Sequence, residues 1–403
     1  MKKVGYSLLT LLLVLGLSEL FLRVADRAWG VAERVKVTDW PPVGDRAGPY
    51  EPLSQAPDPC DDPLHIRPPE LTLRQIGDNP EDPRCFLPRG HASGARRKVF
   101  IVGGSAAWGD GVEYADTFAA RLGSQLGDTW SVTNAARNGA DSRSVMQAVK
   151  HIVDCQAPTA LIILSGNNEW LTWRHEAAPP LRYRIHHALA RSFAYRYLIA
   201  GSRRVRRLRR HTEADSGRGR FDPTRGCESA ERMERVADFD TEAWLKQRRN
   251  YLTAFAFHLA QITEYAAAKG VRVILCTVPY RRRLCPAYFL PQPDDDRDGA
   301  ASTYFTGEEH RLAGRPHEAA MAYRRAREGM VGNLGAVLSI NAVIREIARG
   351  GDTALVDLDA AFVRAGGEEI DADRLFHDFC HPNREGHELI AAELYSLFGK
   401  YNP

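Results

Sequence analysis

Lysine is scarce in this chain, at eight residues against 46 arginines, and the net charge is only +3. So small a basic excess gives no argument for nucleic acid as a partner. No GxxxxGKS/T run occurs, so a phosphate-loop nucleotide site would lack its lysine. Glycine and proline number 33 and 23 in 403 residues. These are ordinary counts, which exclude collagen-like and low-complexity classes. Apolar residues make up 44% and charged residues 26%, enough apolar material for a sizeable core, so wholesale disorder is excluded as well. The length allows two or three domains, or one large domain with insertions.

No uninterrupted apolar run reaches the 20 or so residues that a free-standing membrane helix wants. The nearest approach is at the N-terminus, where Lys2 and Lys3 precede the uncharged run VGYSLLTLLLVLGLS. Glu19 interrupts it, and Leu20, Phe21 and Leu22 follow before Arg23. A secretory signal would fit this run, but no clean small-x-small cleavage site follows. Residues 1–29 are therefore expected to form an uncleaved signal anchor, a cleaved signal being the alternative. Positive residues stay in the cytoplasm, so the rest of the chain is expected outside it, at the periplasm or cell surface. The anchor makes the membrane an expected partner.

Seven cysteines suit an exported protein without proving export. Cys60 and Cys85 could pair in a Pro-rich segment, and Cys227 could pair with Cys285. Cys276 lies in an apolar run and reads as a buried thiol. An odd number leaves at least one thiol free.

Residues 30–97 read as a linker or stalk, with Pro, Asp and Gly concentrated from Pro41 to Arg97. At Lys98 the texture changes. KVFIVGG, SVTNAA, TALIILSG, VRVILCTVP and TALVDLD are short apolar runs, each a strand by length and residue type. Helical spacing separates them over Ala115–Leu126, Ser142–Val153 and Trp244–Lys269, and a last helix spans Arg384–Phe398. Continuous apolar strands alternating with helices predict an α/β fold over residues 98–400. It is a three-layer, doubly wound parallel sheet whose ligands meet the carboxyl ends of its strands. Two stretches break the alternation. Residues 170–239 hold an amphipathic candidate, Ile185–Gly201, running into the arginine-rich Arg203–Arg210, which is either a solvated helix end or a face for an anionic surface. Residues 280–350 hold helical sequence in which GRPHEAAMAYRRA has the look of one tetratricopeptide unit. A lone unit cannot make a repeat fold, so a helical pair decorating the core is expected.

The chemistry gathers where strands end. GGSAAWG places Ser105 at a strand-to-helix turn, with Gly103 and Gly104 before it. The second strand ends in NAARNG (Asn134, Gly139), and the third in SGNNE (Gly166, Asn168, Glu169). Singly, each asparagine reads as a turn residue or helix cap. Ahead of the last helix comes LFHDFCHPNREGH. A carboxylate three residues before an imidazole, Asp378 and His381, can hold one ring nitrogen and leave the other free for a hydroxyl. The same segment offers a rival, because His377, Asp378, Cys380, His381 and His387 are all able to ligate a metal. A zinc site needs three or four of them to converge. His377 and His381 share a face only in a helix, and Pro382 opposes one there.

Taken together, GGS (Ser105), NAARNG (Gly139), GNNE (Asn168) and DFCH (Asp378, His381) resemble the four ordered blocks of the SGNH, or GDSL, hydrolase superfamily. The resemblance spans roughly Lys98 to Phe398. There are two departures: Gly104 stands where the family has the Asp of its GDS block, and Glu169 where it has the Asp of GxND. Neither removes a catalytic group. The anchor and insertions resemble, more loosely, membrane-tethered members associated with cell-envelope glycans.

The resemblance implies a serine esterase with Ser105 as nucleophile, His381 as base and Asp378 as the carboxylate that orients it. The oxyanion would be met by the backbone N–H groups of Ser105 and Gly139 and the amide of Asn168. No cofactor and no metal are implied. The expected substrates are O-acyl, notably acetyl, esters of envelope glycans or other small esters. A glycan O-acyltransferase using the same triad is the alternative, as is a non-catalytic glycan-binding or assembly factor on the same fold.

Overall fold

A strand buried on both faces has little room for polar side chains, and the three central strands of this chain meet that condition, while the two edge strands are half-buried. In the computed structural model, the described residues are 97–169, 222–233, 240–288, 299–331, 337–351, 353–366 and 371–399, with short pieces at 18, 21, 64–65, 86–87, 235–236 and 292–293. The chain divides into two units, residues 1–51 with 174–220, and residues 52–173 with 221–403. The second unit carries the sheet. Its strands are β1 (Arg97–Gly103), β2 (Trp130–Asn134), β3 (Ala160–Leu164), β4 (Arg272–Cys276) and β5 (Ala354–Val356). All pair in parallel in the order β2-β1-β3-β4-β5, one of the common doubly wound orders.

Alternation along each strand sorts the core into two layers. Val99 and Ile101 of β1 point to one face with Ile162, Leu164 and Ile274. That face is covered by the helices α1 (Ser105–Trp108), α2 (Phe118–Leu126), α8 (Leu358–Gly366) and α9 (Arg384–Gly399). Phe100 and Val102 point the other way with Leu161, Ile163, Val273 and Leu275. There they meet α3 (Ser142–Gln156), α4 (Thr241–Ala268) and α7 (Val337–Arg349). This is the three-layer arrangement expected from the apolar runs. Side-chain caps set several helix starts: Thr117 accepts from Ala120 N, Asp141 from Ser144 N and Asp240 from Ala243 N.

One boundary differs from the sequence reading. TALVDLD supplies only three strand residues, because the Asp357 carboxylate accepts from Ala360 N at 3.1 Å and caps α8. Within the stretch read as a helical insertion, α5 (Ala300–Leu312) and α6 (Pro316–Gly329) form a packed pair around Tyr304, Tyr323 and the Cys227–Cys285 disulfide. The same stretch also contains α7, whose Ile340 and Ile344 belong to the core itself. Cys276 and Cys380 are buried free thiols. Cys155 is disulfide-bonded to a partner outside the described residues, where Cys60 and Cys85 also lie. The anchor at 1–29, most of the linker, Ile185–Gly201 and Arg203–Arg210 are outside the described residues too. Among those described, no helix is long and apolar enough to cross a membrane.

Cys227 and Cys285 are 58 residues apart in sequence, so their bond shortens a long loop of the unfolded chain. Replacing both by serine should lower unfolding free energy by about 2–4 kcal/mol, read from denaturant midpoints under non-reducing conditions. Equal midpoints for variant and parent would show that the bond contributes nothing.

Candidate active site

Register brings the strand ends to one edge: Ile101 pairs with Asn134, Gly103 with Leu164, and Cys276 with Val356. Ser105 opens α1 directly after β1. The turn is tight. Ala107 and Trp108 donate to Gly104 O, and Gly109 and Asp110 donate to Ser105 O, at 3.0–3.1 Å. Asn134 closes it from the side, its amide donating to Ala107 O at 3.1 Å and Trp108 O at 3.2 Å. Asn134 is thus a cap for the carbonyls of a one-turn helix.

The segment between Leu375 and α9 is a loop, pinched by an isolated bridge between Phe376 and Pro382. One oxygen of Asp378 accepts from the backbone N–H groups of Cys380 (2.9 Å) and His381 (2.8 Å). That curl leaves its other oxygen 2.6 Å from His381 Nδ1. His381 Nε2 lies 2.7 Å from Ser105 Oγ, across 276 positions of sequence. Ser105, His381 and Asp378 are therefore joined in one hydrogen-bonded row.

The surroundings tune this row. Burial would raise the carboxyl of Asp378, but the bonds from His381 and the Cys380 N–H, with His377 nearby, hold it below its usual range. Burial also opposes a charged His381, which is only 7% exposed. The hydrogen bond and negative charge of the Asp378 carboxylate outweigh it, and the imidazole sits above its ordinary value. Burial keeps Cys380 itself a neutral thiol, so Asp378 is the full negative charge on that side of the ring.

The expected oxyanion donors meet at the same edge. Gly139 has φ +75°, a backbone shape that glycine adopts without penalty. Neither its N–H nor that of Ser105 finds an acceptor among the described residues. Asn168 spends one amide proton on Ala140 O at 2.9 Å and keeps the second. Its amide crowds the backbone just before Ser105, since a Cβ at position 104 would lie 2.7 Å from Asn168 Nδ2. Glycine at 104 and the close approach of Asn168 thus go together.

Glu169 is buried beside Asn168. It accepts from Ser142 N (3.0 Å) and Ser142 Oγ (2.6 Å), and that hydroxyl is 2.9 Å from His258 Nδ1 on α4. With the Ser142 proton given to Glu169, His258 Nδ1 must donate to the serine oxygen. Asn168 holds Ala140 and Glu169 holds Ser142, so the loop after β3 grips both sides of the residues that follow Gly139. Ser142 and His258 were not singled out in the sequence reading; a serine opening a helix just after the NAARNG turn is the signal that could have drawn attention.

Of the five metal-competent residues near the C-terminus, the structure brings donor atoms of His377, Asp378 and His381 within 4.8 Å of one another. Cys380 and His387 are not part of that group. His387 Nδ1 accepts from Phe118 N at 3.3 Å. Both ring nitrogens of His381 already face partners, Asp378 and Ser105, an arrangement suited to moving a proton from the hydroxyl.

No family model matches this chain, and no curated protein sequence matches it. Similar solved structures include LAE5, an α/β hydrolase enzyme from the metagenome of Lake Arreo, Spain, at 17% identity and TM-score 0.38, covering 77% of this chain and 98% of that one. An acetyl xylan esterase, AlAXEase, is similar at 13% identity and TM-score 0.39, covering 74% and 98%. A GDSL-like lipase from Bacteroides thetaiotaomicron is similar at 12% identity and TM-score 0.36, covering 76% and 89%. At these identities and TM-scores the likeness assigns neither a family nor an activity to this chain.

Two outcomes follow from the geometry. Glu169→Gln keeps the shape but turns an acceptor into an amide donor against a donor. Ester turnover should fall about tenfold in kcat through loss of Asn168 alignment, with KM little changed, and stability should drop by about 1–3 kcal/mol. Wild-type kcat in that variant would make the clamp irrelevant to the site. Separately, a base needs the neutral imidazole, so kcat/KM should fall as pH drops through a pKa above the ordinary imidazole value of about 6.5. Asp378→Asn should move that limb to lower pH and depress the plateau by about 10⁴-fold. An unmoved limb would detach Asp378 from His381.

Proposed function

We propose that this chain is a serine esterase that removes O-acyl groups, acetyl in particular, from cell-envelope glycans. The observation that carries the reading is the hydrogen-bonded row Asp378–His381–Ser105, at 2.6 and 2.7 Å. A serine hydroxyl is a poor nucleophile at neutral pH and needs a base within reach. In the proposed cycle His381 Nε2 takes the Ser105 proton while Oγ bonds to the acyl carbon. Negative charge on the carbonyl oxygen is met by the N–H groups of Ser105 and Gly139 and the free amide proton of Asn168. The C–O bond to the leaving alcohol then breaks, and His381 returns its proton to that oxygen. Water, deprotonated in turn by His381, attacks the acyl-serine. The acyl–Oγ bond breaks as His381 returns its proton to Ser105, and the carboxylic acid leaves and gives its own proton to solvent. Asp378 holds the imidazole in the tautomer that presents Nε2 and stabilises the imidazolium between steps.

The glycan substrate and the extracytoplasmic, membrane-tethered location are the finer part of the proposal. Their support is the sequence of residues 1–29 and the Cys227–Cys285 disulfide, a bond that persists in oxidising compartments.

A fluorophosphonate should add one mass equivalent to the purified protein at Ser105, and Ser105→Ala should abolish both the adduct and acetyl release from acetylated envelope polysaccharide. Asn168→Ala should cost about 10²–10³ in kcat. Acetyl release by Ser105→Ala at the parent rate, or no adduct under forcing conditions, would overturn the esterase assignment in favour of a binding role. Running the release assay with a second glycan as acceptor separates hydrolysis from acyl transfer.

A further inference from the structure

The groups of the hydrogen-bonded row sit on two segments outside the sheet. Ser105 opens α1, and the turn after that helix is Gly109–Asp110–Gly111. Gly109 N and Asp110 N bond Ser105 O at 3.0 and 3.1 Å, so this turn is built onto the nucleophile's own residue. It then bends around the base. The Asp110 carboxylate comes within 3.8 Å of His381 Nε2. At Gly111 the backbone meets His377, from the loop that carries Asp378 and His381. A Cβ at position 111 would lie 1.8 Å from Cε1 and 2.0 Å from Nε2 of that imidazole, and φ there is +88°. Only a residue without a side chain lets the ring sit against this turn.

His377 is also tied to the base. Its backbone N–H donates to His381 O at 3.2 Å, inside the curl pinched by Phe376 and Pro382. The two imidazoles stack, with centroids 5.7 Å apart and planes 17° from parallel, within the range of aromatic pairs. His377 Nε2 lies 3.6 Å from Asp378 Oδ2, the oxygen that holds His381 Nδ1. That separation is too long for a hydrogen bond. One ring thus touches the Gly111 backbone and also borders both His381 and Asp378. With 34% of its side chain exposed, it faces water as well, which suits an imidazole better than a wholly apolar ring.

We propose that His377 is a positioning residue: seated on Gly111, its ring locks the loop of Asp378 and His381 to the turn that carries Ser105, and so sets the separation of Nε2 and Oγ. The proposal rests on the esterase reading and adds to it the contact that aligns the row. Without the ring, the base's loop keeps its own hydrogen bonds but loses a fixed seat against the nucleophile's turn. A misplacement of about 1 Å can cost about 10²-fold in rate, so the effect falls on kcat and not on substrate binding.

The test is a double-mutant cycle on kcat with an acetyl ester as substrate. Gly111→Ala puts a methyl group into the ring and should lower kcat about 10²-fold, with KM little changed. His377→Ala should lower kcat about tenfold, again with KM little changed. Combining the two removes the collision, so kcat should match that of His377→Ala within about threefold instead of showing the product of both losses. Gly127→Ala controls for the backbone. Gly127 also has a left-handed φ, +67°, but a Cβ there meets nothing among the described residues within 4 Å. That variant should melt at a lower temperature and keep the parent kcat. Parent kcat in His377→Ala, or multiplied losses in the double variant, would overturn the lock. A second arm needs no turnover. The proton between His381 Nδ1 and Asp378 should give a low-field NMR resonance that moves or broadens in His377→Ala and in Gly111→Ala but not in Gly127→Ala. If the fluorophosphonate leaves Ser105 unmodified, the esterase reading falls while this arm still decides the lock. A resonance unmoved by both site substitutions rejects it.

Discussion

Parallel strands covered on both faces must leave polar work to their ends. Here the pairing register fixes where those ends lie: Gly103 is level with Leu164, and Cys276 with Val356. Side chains within the three central strands alternate between two apolar layers, with no opening for a hydroxyl or an imidazole. Ser105, Gly139 and Asn168 therefore sit at one edge because the sheet stops there. The loop bearing Asp378 and His381 reaches the same edge from the start of α9. Desolvation, the reason the strands are apolar, also makes the few polar contacts at the edge strong and costly to lose.

His381 can serve Ser105 only if its loop is rigid, and several buried contacts see to that. Asp378 spends one whole oxygen on backbone N–H groups of its own loop. Just before that loop, the carboxylate of Asp373 accepts from the backbone N–H groups of Arg282 (2.6 Å) and Arg283 (2.9 Å), fastening the turn Asp371–Leu375 to the chain leaving β4. Arg282 is buried, stacks 4.6 Å from the Tyr280 ring and pairs with Asp359 at 2.8 Å. After the loop, Asn383 caps α9 through Gly386 N. The turn that carries Ser105 is held by Asn134 in the same manner. Charged and amide side chains act here as fasteners between loops whose own backbones are irregular.

How much of this could be read from the residues depends on the distance over which a signal acts. The central strands and their covering helices were legible because burial on two faces writes a continuous apolar run, and a one-sided helix writes a 3.6-residue period. The Asp378–His381 pair was legible because it is local, three residues in one loop. That Ser105 lies against His381 was legible only through the order of four short blocks, since 276 intervening positions carry no spacing signal. The clamp of Glu169 on Ser142 and His258 escaped, because it joins three elements and no local pattern marks it. The end of the strand at Val356 was misplaced because Asp357 reads as the tail of an apolar run until its capping bond is seen. α7 was assigned to an insertion because its apolar stripe says that it is buried and leaves open against what.

The two departures from the family blocks are linked by the geometry. At 104, any side chain would press on the Asn168 amide, with its first carbon 2.7 Å from Nδ2. Glycine there lets the asparagine come down onto the turn that carries Ser105. An asparagine drawn that close needs its own loop held near α3, and the next residue supplies the hold. Glu169 has one more methylene than aspartate, and with that reach both of its oxygens engage Ser142, at 3.0 and 2.6 Å, while His258 braces the same hydroxyl from α4. The two changes lie on opposite sides of one asparagine: the first makes room for it and the second fixes it in that room. A lone Gly104→Asp change would then be expected to disturb Asn168 rather than restore the pattern of the blocks it resembles, because the space that Asp needs is already occupied by the Asn168 amide.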